Sequence, residues 1–238
     1  MSYKGKKVSV VIPTYNESAS IRRVVDGFFA TGVVDEVVVV DNNAIGPTRQ
    51  EVAKTKARMV HEPQQGYGRA IMRGLNEAKG DLVVMCEADG TFNPEDIEKF
   101  LAYSNDFEVV LGTRTSRAAI FSGAFMPFPV RFGNWLWAKI VEVLFNGPVL
   151  TDVGCTYKLV NRKILEEIKK YFHQSRGDGT FSPELMIWLL KHDKRIIEIP
   201  VIYKERVGES GYTGNIWRAA KLGIKMLPVI LRYRFKKI

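Results

Sequence analysis

The chain is poor in the residues that most often announce a chemistry. Among 238 residues there are two cysteines, Cys86 and Cys155, far apart in sequence and set in apolar surroundings, and no Cys-x-x-Cys pair. That excludes a disulfide framework and a thiolate zinc site. His61, His173 and His192 fall at no metal-ligating spacing and read as surface or packing residues. No run of about 18 uncharged apolar residues occurs, so no spanning helix is expected. The nearest approach is "AAIFSGAFMPFPV" between Arg117 and Arg131, which is short and broken by Pro and Gly. "MSYKGKKVSVVIPTYNE" has no apolar region ahead of a cleavage site, which together with the unpaired cysteines points to a reduced, cytoplasmic compartment. "GYGRAI" fails as a dinucleotide fingerprint because its sixth position is Ile71, and "GESGY" has Tyr212 where a nucleophile elbow needs glycine.

Acid is missing from one region in particular. The net charge is +9, yet Ser210 to Ile238 carry seven Lys or Arg and no Asp or Glu, leaving 28 basic against 26 acidic residues elsewhere. The body is nearly neutral and the tail holds the excess. Basic residues interleaved with Trp217, Ile224, Leu227 and Leu231 suit an anionic membrane surface, and no nucleic-acid-reading motif accompanies them. A stripe of Trp217, Ala220, Ile224, Leu227 and Leu231 with Arg218, Lys221 and Lys225 beside or opposite it predicts one or two amphipathic helices divided at Pro228. Such a stripe can face lipid or pack on the rest of the chain.

With 46% apolar residues the chain can bury a sizeable core. Up to about residue 115, short β-branched runs alternate with helix-like segments, the pattern of a mostly parallel sheet flanked by helices. "KVSVVIP", "EVVVVDNN", "ARMVHE", "DLVVMCEAD" and "EVVLGTR" are the strands. Ser18 is a candidate cap for the first helix, Pro47 suits the start of the second, and Asn93-Pro94 opens another. "GRAIMRGLNEAKG" predicts a helix with a C-terminal glycine stop. Beyond it come the helices "GNWLWAKIVEVLFNG" and "SPELMIWLLKHD" and the strands "CTYKLVNR" and "RIIEIPVIYKER", with no Ser/Gly linker. The division expected is a catalytic body over 1–212 and a membrane-associating tail over 213–238.

Polar residues gather where these strands end: "PTYNE", "DNN", "EADG" and "GTR". In open parallel sheets ligands bind at that rim. Glu87 and Asp89 are next-but-one neighbours, so a regular strand would place both on one face. Two such carboxylates repel unless a cation lies near them. Either they hold Mg²⁺ or Mn²⁺ with water and phosphate completing the shell, or Glu87 pairs with Arg69 or Arg73 while Asp89 caps a turn through Gly90.

Taken together, "VSVVIPTYNES", "VVVVDNNAIGPT", "GYGRAIMRGLNEAKGDLVVMCEADGTFNPEDI", "GTRTSR" and "TDVGCTYKLVNR", with "FSPELMIWLL" and "ERVGESGY" more weakly, resemble the inverting family 2 glycosyltransferases of GT-A fold. The likeness covers most of the chain and is strongest to dolichyl- and polyprenyl-phosphate sugar synthases. It implies a Rossmann-like α/β domain that moves mannose or glucose from a GDP- or UDP-hexose to a lipid phosphate at the cytoplasmic face of a membrane, aided by Mg²⁺ or Mn²⁺. Pro13, Thr14, Tyr15, Glu17, Asp41 and Asn42 would line the nucleoside pocket, with Asp41 facing the base and Asn42 standing where the family has a second acid. Gly68 and Arg69 would lie beside the diphosphate. Glu87, Ala88 and Asp89 occupy the DxD motif, with Asp89 the direct metal ligand and Glu87 a departure at the first position. Arg117, Arg131 and Arg206, with Ser210, match acceptor-phosphate positions, and Asp152 matches a position near the reacting sugar. "RVGESG" is one residue shorter than the family's pattern and has Gly211 in place of its lysine. Two other readings stay open: a soluble or polysaccharide acceptor with Asp152 as general base, and a nucleotide-sugar-binding module without activity.

Overall fold

The computed structural model describes residues 3–172, 180–208 and 216–235. The apolar runs form seven strands: β1 (Val8–Thr14), β2 (Glu36–Asp41), β3 (Arg58–His61), β4 (Leu82–Met85), β5 (Val109–Thr113), β6 (Lys158–Asn161) and β7 (Ile196–Pro200). Their order in the sheet is β3-β2-β1-β4-β6-β5-β7. All neighbours are parallel except β6, which runs antiparallel to β4 and to β5. The central strands carry continuous apolar runs because both faces are covered. Val11, Val38, Val40, Val83 and Met85 face one core, and Val10, Ile12, Val37, Val39 and Val84 the other.

The second face is covered by α1 (Ile21–Ala30), α2 (Thr48–Ala53) and α4 (Ile97–Tyr103). The first is covered by α3 (Tyr67–Glu77), α5 (Phe128–Leu144), α6 (Arg162–Tyr171), α7 (Phe181–Lys191) and α8 (Ile216–Phe235). Phe181 through Leu190 of α7 are all buried, so this helix is covered around its whole circumference, and its two buried polar residues, Ser182 and Glu184, are hydrogen-bonded to Lys158 and Tyr233.

Several local expectations change. Ser20, and not Ser18, stands at the start of α1, and its hydroxyl caps nothing but bonds back to the Glu17 carbonyl at 3.3 Å. Asn93 does precede Pro94, but its side chain donates no cap. The helix over 67–77 ends at Ala78, whose backbone is extended. Gly80 is no helix stop; it is glycine because a Cβ there would lie 2.6 Å from the Ser9 nitrogen. β7 stops at Pro200, and the expected continuation leaves the sheet after the Val201 amide donates to the Thr113 carbonyl of β5 at 3.1 Å, with Tyr203 then forming isolated bridges to Phe92 and Ile120.

The tail is a single helix that runs through Pro228. Proline deprives the carbonyl four residues earlier, that of Ile224, of its donor. Both residues lie on the exposed side of α8, so water can satisfy that carbonyl without a break. Met226, Ile230 and Tyr233 are buried against the body, and the Tyr233 hydroxyl donates to Glu184 at 3.0 Å. The stripe of Trp217, Ala220, Ile224, Leu227 and Leu231 is exposed, so it is not what docks the helix. Among the described residues no helix is long and apolar enough to cross a membrane.

α3 lies unusually close to the sheet at Gly74, where a Cβ would fall inside a Val11 methyl and 2.9 Å from one of Val40. Gly74→Ala is expected to cost about 1–3 kcal/mol through overpacking. Thermal denaturation reads this directly, and an unchanged midpoint would mean that the two valines can move aside.

Candidate active site

In the sheet order the chain reverses direction between β1 and β4, with β2 and β3 on one side and the later strands on the other. Ligands of open α/β sheets bind in the crevice at such a reversal, outside the carboxyl ends of the strands. Thr14 ends β1 there, and the turn from Cys86 to Thr91 follows β4, tied to β1 by the Cys86 amide donating to the Val11 carbonyl at 3.0 Å.

Glu87 and Asp89 lie past the last residue of β4, in the turn and not on the strand. Asp89 is 2% exposed. One of its oxygens accepts from the Thr91 amide at 3.0 Å and the Thr91 hydroxyl at 2.6 Å. The other meets Arg206 Nη1 at 2.7 Å. Gly90, next in the chain, has φ +78°, a left-handed conformation that glycine adopts without strain and a side chain would strain. Arg206 also reaches Glu17, 3.7 Å away, and its Nε is buried with no partner among the described residues. Glu17 in turn accepts from the Thr14 hydroxyl at 2.8 Å and the Tyr15 amide at 2.7 Å, leaving the Tyr15 ring 40% exposed over the rim.

Glu87 pairs with neither Arg69 nor Arg73. Arg73 binds Glu77 at 3.0 Å, and among the described residues Arg69 reaches the Gln65 carbonyl at 3.5 Å. Burial pushes the Glu87 carboxyl up to about 7, with Asp89's charge adding to the shift and Arg114 and Arg206 opposing it. Burial likewise raises Tyr67 on α3, with the charge of Glu87 adding to the shift.

Asp152 is tied to Arg114, which follows β5. Its two oxygens receive Arg114 Nε at 2.8 Å and Nη2 at 3.0 Å, a bidentate pair, along with the amides of Arg114 at 2.9 Å and Gly154 at 3.0 Å. Burial alone would raise this carboxyl, but the arginine and the amides hold it below the ordinary value. The Arg114 guanidinium lies over the Tyr203 ring at 5.3 Å. Beneath the pair, Glu198 accepts from the Thr151 amide at 2.7 Å and the Asp152 amide at 3.0 Å, and burial pushes it up to about 7. Lys158, 3% exposed at the start of β6, donates to the Cys155 carbonyl and to Ser182 at 2.5 Å; burial pulls its ammonium below the ordinary lysine value.

At the end of β2, Asp41 is engaged by Arg49 at 2.7 Å, His61 at 3.2 Å and the Ala44 amide at 2.6 Å. Asn42 is an amide for a reason. It donates to the carbonyls of Glu62 at 3.0 Å and Gln64 at 2.9 Å and accepts from the Gly66 amide at 2.8 Å, which fixes the approach to α3. A carboxylate could not donate to those two carbonyls. Gly68 is buried in the first turn of α3 and Arg69 half-buried beside it. Pro13 and Ala88 shape the rim through backbone alone, Ala88 being buried. Arg117 is exposed on a short 3₁₀ turn, and Arg131 is half-buried with its guanidinium 5.9 Å from the Phe128 ring. Neither has an acid partner among the described residues. Ser210 lies outside the described residues, as do Gly211, Tyr212 and His173.

The rim therefore joins Glu17, Arg206 and Asp89 in one cluster and Asp152 with Arg114 in a second, with Glu87 electrostatically coupled to both. Residues 9–169 match the model of glycosyl transferase family 2. The chain belongs to this family. It is 31% identical to the dolichyl-phosphate hexose transferase of Haloferax volcanii over 98% of both chains. It is 28% identical to the undecaprenyl-phosphate 4-deoxy-4-formamido-L-arabinose transferase of Salmonella typhimurium over 87% of this chain and 63% of that protein. The glucosyl-3-phosphoglycerate synthase of Mycobacterium tuberculosis, solved with Mn²⁺, UDP and phosphoglyceric acid, superposes with TM-score 0.73 at 18% identity over 99% of this chain and 81% of that one. The fold is thus GT-A, and the protein is a glycosyltransferase.

Arg114 and Lys158 escaped the sequence reading. Arg114 stood in the quoted "GTR", immediately after a strand, and that position was the available signal. Nothing in the sequence marks Lys158 as buried.

Raising a carboxyl's pKa on folding means the folded state holds that proton more tightly. Its stabilising contribution is complete below the unfolded value of about 4.3 and disappears as pH rises through about 7. The cation-free protein should lose thermal stability between these limits, and Glu87→Gln should flatten part of the slope, Glu198 supplying the rest. An unaltered slope in Glu87→Gln would show that this carboxyl is already ionised.

Proposed function

We propose that the protein is an inverting hexosyltransferase that moves mannose or glucose from a GDP- or UDP-hexose to a dolichyl or polyprenyl phosphate. The observation that carries this reading is the state of Asp152. A hydroxyl acceptor needs a general base, and the carboxylate nearest that role has both oxygens filled by Arg114 and two amides, with its basicity lowered. A phosphate acceptor has a second pKa of about 6 and is already a nucleophile at neutral pH. It needs positioning cations, and the rim and the segment after β5 supply Arg114, Arg117, Arg131 and Arg206. The 31% identity along the whole length of a dolichyl-phosphate hexose transferase supports the same acceptor class.

The residues present fit a divalent cation. Glu87 and Asp89 offer hard oxygen donors, and burial, with Asp89's charge adding to it, raises the Glu87 carboxyl against the opposing pull of Arg114 and Arg206. No third His, Cys, Asp or Glu completes a cage among the described residues, which suits Mg²⁺ or Mn²⁺ sharing its shell with water and a diphosphate. Such a cation supplies charge stabilisation to a departing nucleoside diphosphate. Asp89 would be its direct ligand, oriented by Thr91, and Glu87 would contact it directly or through water.

The protein's own groups do the remaining work. The exposed Tyr15 ring and the Pro13–Thr14 backbone offer a face for the nucleoside, and Asp41 and Asn42 set the shape of the wall. Arg69 and Arg206 would bind diphosphate oxygens; the unpartnered Nε of Arg206 is a donor already stripped of water. Arg114, held planar against Tyr203 by Asp152, would face the reacting phosphate, with Arg117, Arg131 and Ser210 on the acceptor side. Fixed donors aimed at developing charge are the usual main source of such catalysis. The exposed basic stripe of α8 would seat the enzyme peripherally on the cytoplasmic face of an anionic membrane, the body over 1–212 carrying the chemistry and the tail over 213–238 the attachment.

Incubation with Mn²⁺, a lipid phosphate and a panel of GDP- and UDP-hexoses is expected to give a glycolipid phosphate with one donor, and to lose it on chelation. No lipid product with any donor would refute the acceptor assignment. Asp89→Asn should lower turnover at least about 100-fold, the scale of removing one main electrostatic contact. Full activity in Asp89→Asn would refute its role as ligand.

A further inference from the structure

The outer face of α5 is left unexplained by the transfer chemistry. A helix on a globular surface turns its polar side to water, and α5 does the reverse. Phe128, Phe132, Trp135, Leu136 and Val143 are 68%, 47%, 41%, 41% and 77% exposed. At 3.6 residues per turn they fall within an arc of about 100°, while Ala138 and Val141 on other sides are buried. Three rings form an open ladder, with Phe128 to Phe132 centroids 6.0 Å apart, Phe132 to Trp135 5.8 Å, and both pairs stacked. Phe121 and Phe125, in the approach to the helix, are 50% and 41% exposed. This is the apolar stretch between Arg117 and Arg131 that is too short to span a bilayer.

We propose that this face of α5 is a membrane-docking surface, seated in the headgroup layer of an anionic bilayer alongside the exposed stripe of α8. The two helices pack on each other, closely enough that a Cβ at Gly223 would stand 2.7 Å from the Trp137 indole nitrogen. Charge decides the occupant. α8 has no acid from Ile216 to Phe235, and Lys221, Lys225 and Arg234 are exposed on it. The single acid of α5, Glu142, is held by Lys139 at 2.6 Å and the Leu150 amide at 2.8 Å. A second copy of the chain packed face to face would set these cations against their own images. Anionic headgroups neutralise them, at about 1 kcal/mol for each cation near the surface, and aromatic rings are at home in that interfacial layer. The inference rests on the lipid-phosphate reading and deepens it. Arg131 stands within the ladder and Arg117 just before it, so an acceptor's phosphate would meet both at headgroup depth while its hydrocarbon stays in the bilayer.

Sedimentation of the full chain with vesicles of phosphatidylcholine, alone or with phosphatidylglycerol, tests this. The wild type should bind the anionic vesicles, and Phe132→Ser/Trp135→Ser/Leu136→Ser should bind them about tenfold more weakly. The triple variant should still transfer hexose to a short, water-soluble prenyl phosphate in vesicle-free solution, because none of these side chains is assigned to donor or acceptor and Phe128, which stands against Arg131, is kept. Equal binding by variant and wild type would overturn the proposal. So would wild-type binding to neither vesicle, or a solution dimer that the triple substitution dissolves. Expected vesicle binding without transfer to any prenyl phosphate would sink the acceptor reading and leave the docking surface standing.

Discussion

Two carboxylates one residue apart, placed at the end of a buried strand where the sheet reverses direction, cannot both remain charged without cations close by. The surroundings of Glu87 and Asp89 follow from that constraint. Arg206 arrives from 117 residues away in sequence to meet Asp89. Its segment is laced to the acidic turn by the Lys204 amide on the Thr91 carbonyl at 2.7 Å and the Val207 amide on the Asp89 carbonyl at 3.0 Å. Arg114, just after β5, favours the ionised form of Glu87, and Lys158 is buried at the start of β6. Burial, with Asp89's charge adding to it, still holds the Glu87 carboxyl above the ordinary value. A pair of acids so placed is a natural place for a divalent cation and a poor place for anything apolar.

The antiparallel strand β6 is what allows this balance. A strand entering from the rim begins there, so Lys158 pairs across to Met85, the last residue of β4, and to Leu111 of β5, two residues before that strand ends. The loop before it, carrying Asp152, Gly154 and Cys155, is held from three directions: by Arg114 above, by Glu198 below, and by Lys158 through the Cys155 carbonyl. A parallel strand in that position would have delivered its start to the opposite edge of the sheet.

Period and composition made the scaffold legible before any coordinates. β-branched runs buried on both faces identified the strands, and the polar residues after β1, β2, β4 and β5 located the rim. What sequence could not supply was contact between distant residues. Nothing local tells that Asn42 donates to carbonyls twenty and twenty-two positions on, so that an amide in place of the family's acid is a requirement there. Gly80 read as a helix stop because helix stops are what glycine most often marks, whereas here a neighbouring backbone excludes a side chain. Pro228 read as a division because proline removes one helical hydrogen bond and crowds the carbonyl four residues back. On the wet side of α8 the helix runs through it, with that carbonyl open to water.

The same distinction between a residue's type and its environment decides the chemistry at Asp152. An aspartate beside a sugar site invites the role of base, and position alone would assign it. Its surroundings withdraw that role: a bidentate arginine and two amides consume its lone pairs, and each stabilises the ionised form over the protonated one. A group so held resists accepting a proton, but it fixes a guanidinium in one plane with most of its rotational freedom already lost. The site is then better at orienting charge than at moving protons. An acceptor that arrives ionised matches it, whereas an alcohol would find a well-placed arginine and no base to activate it.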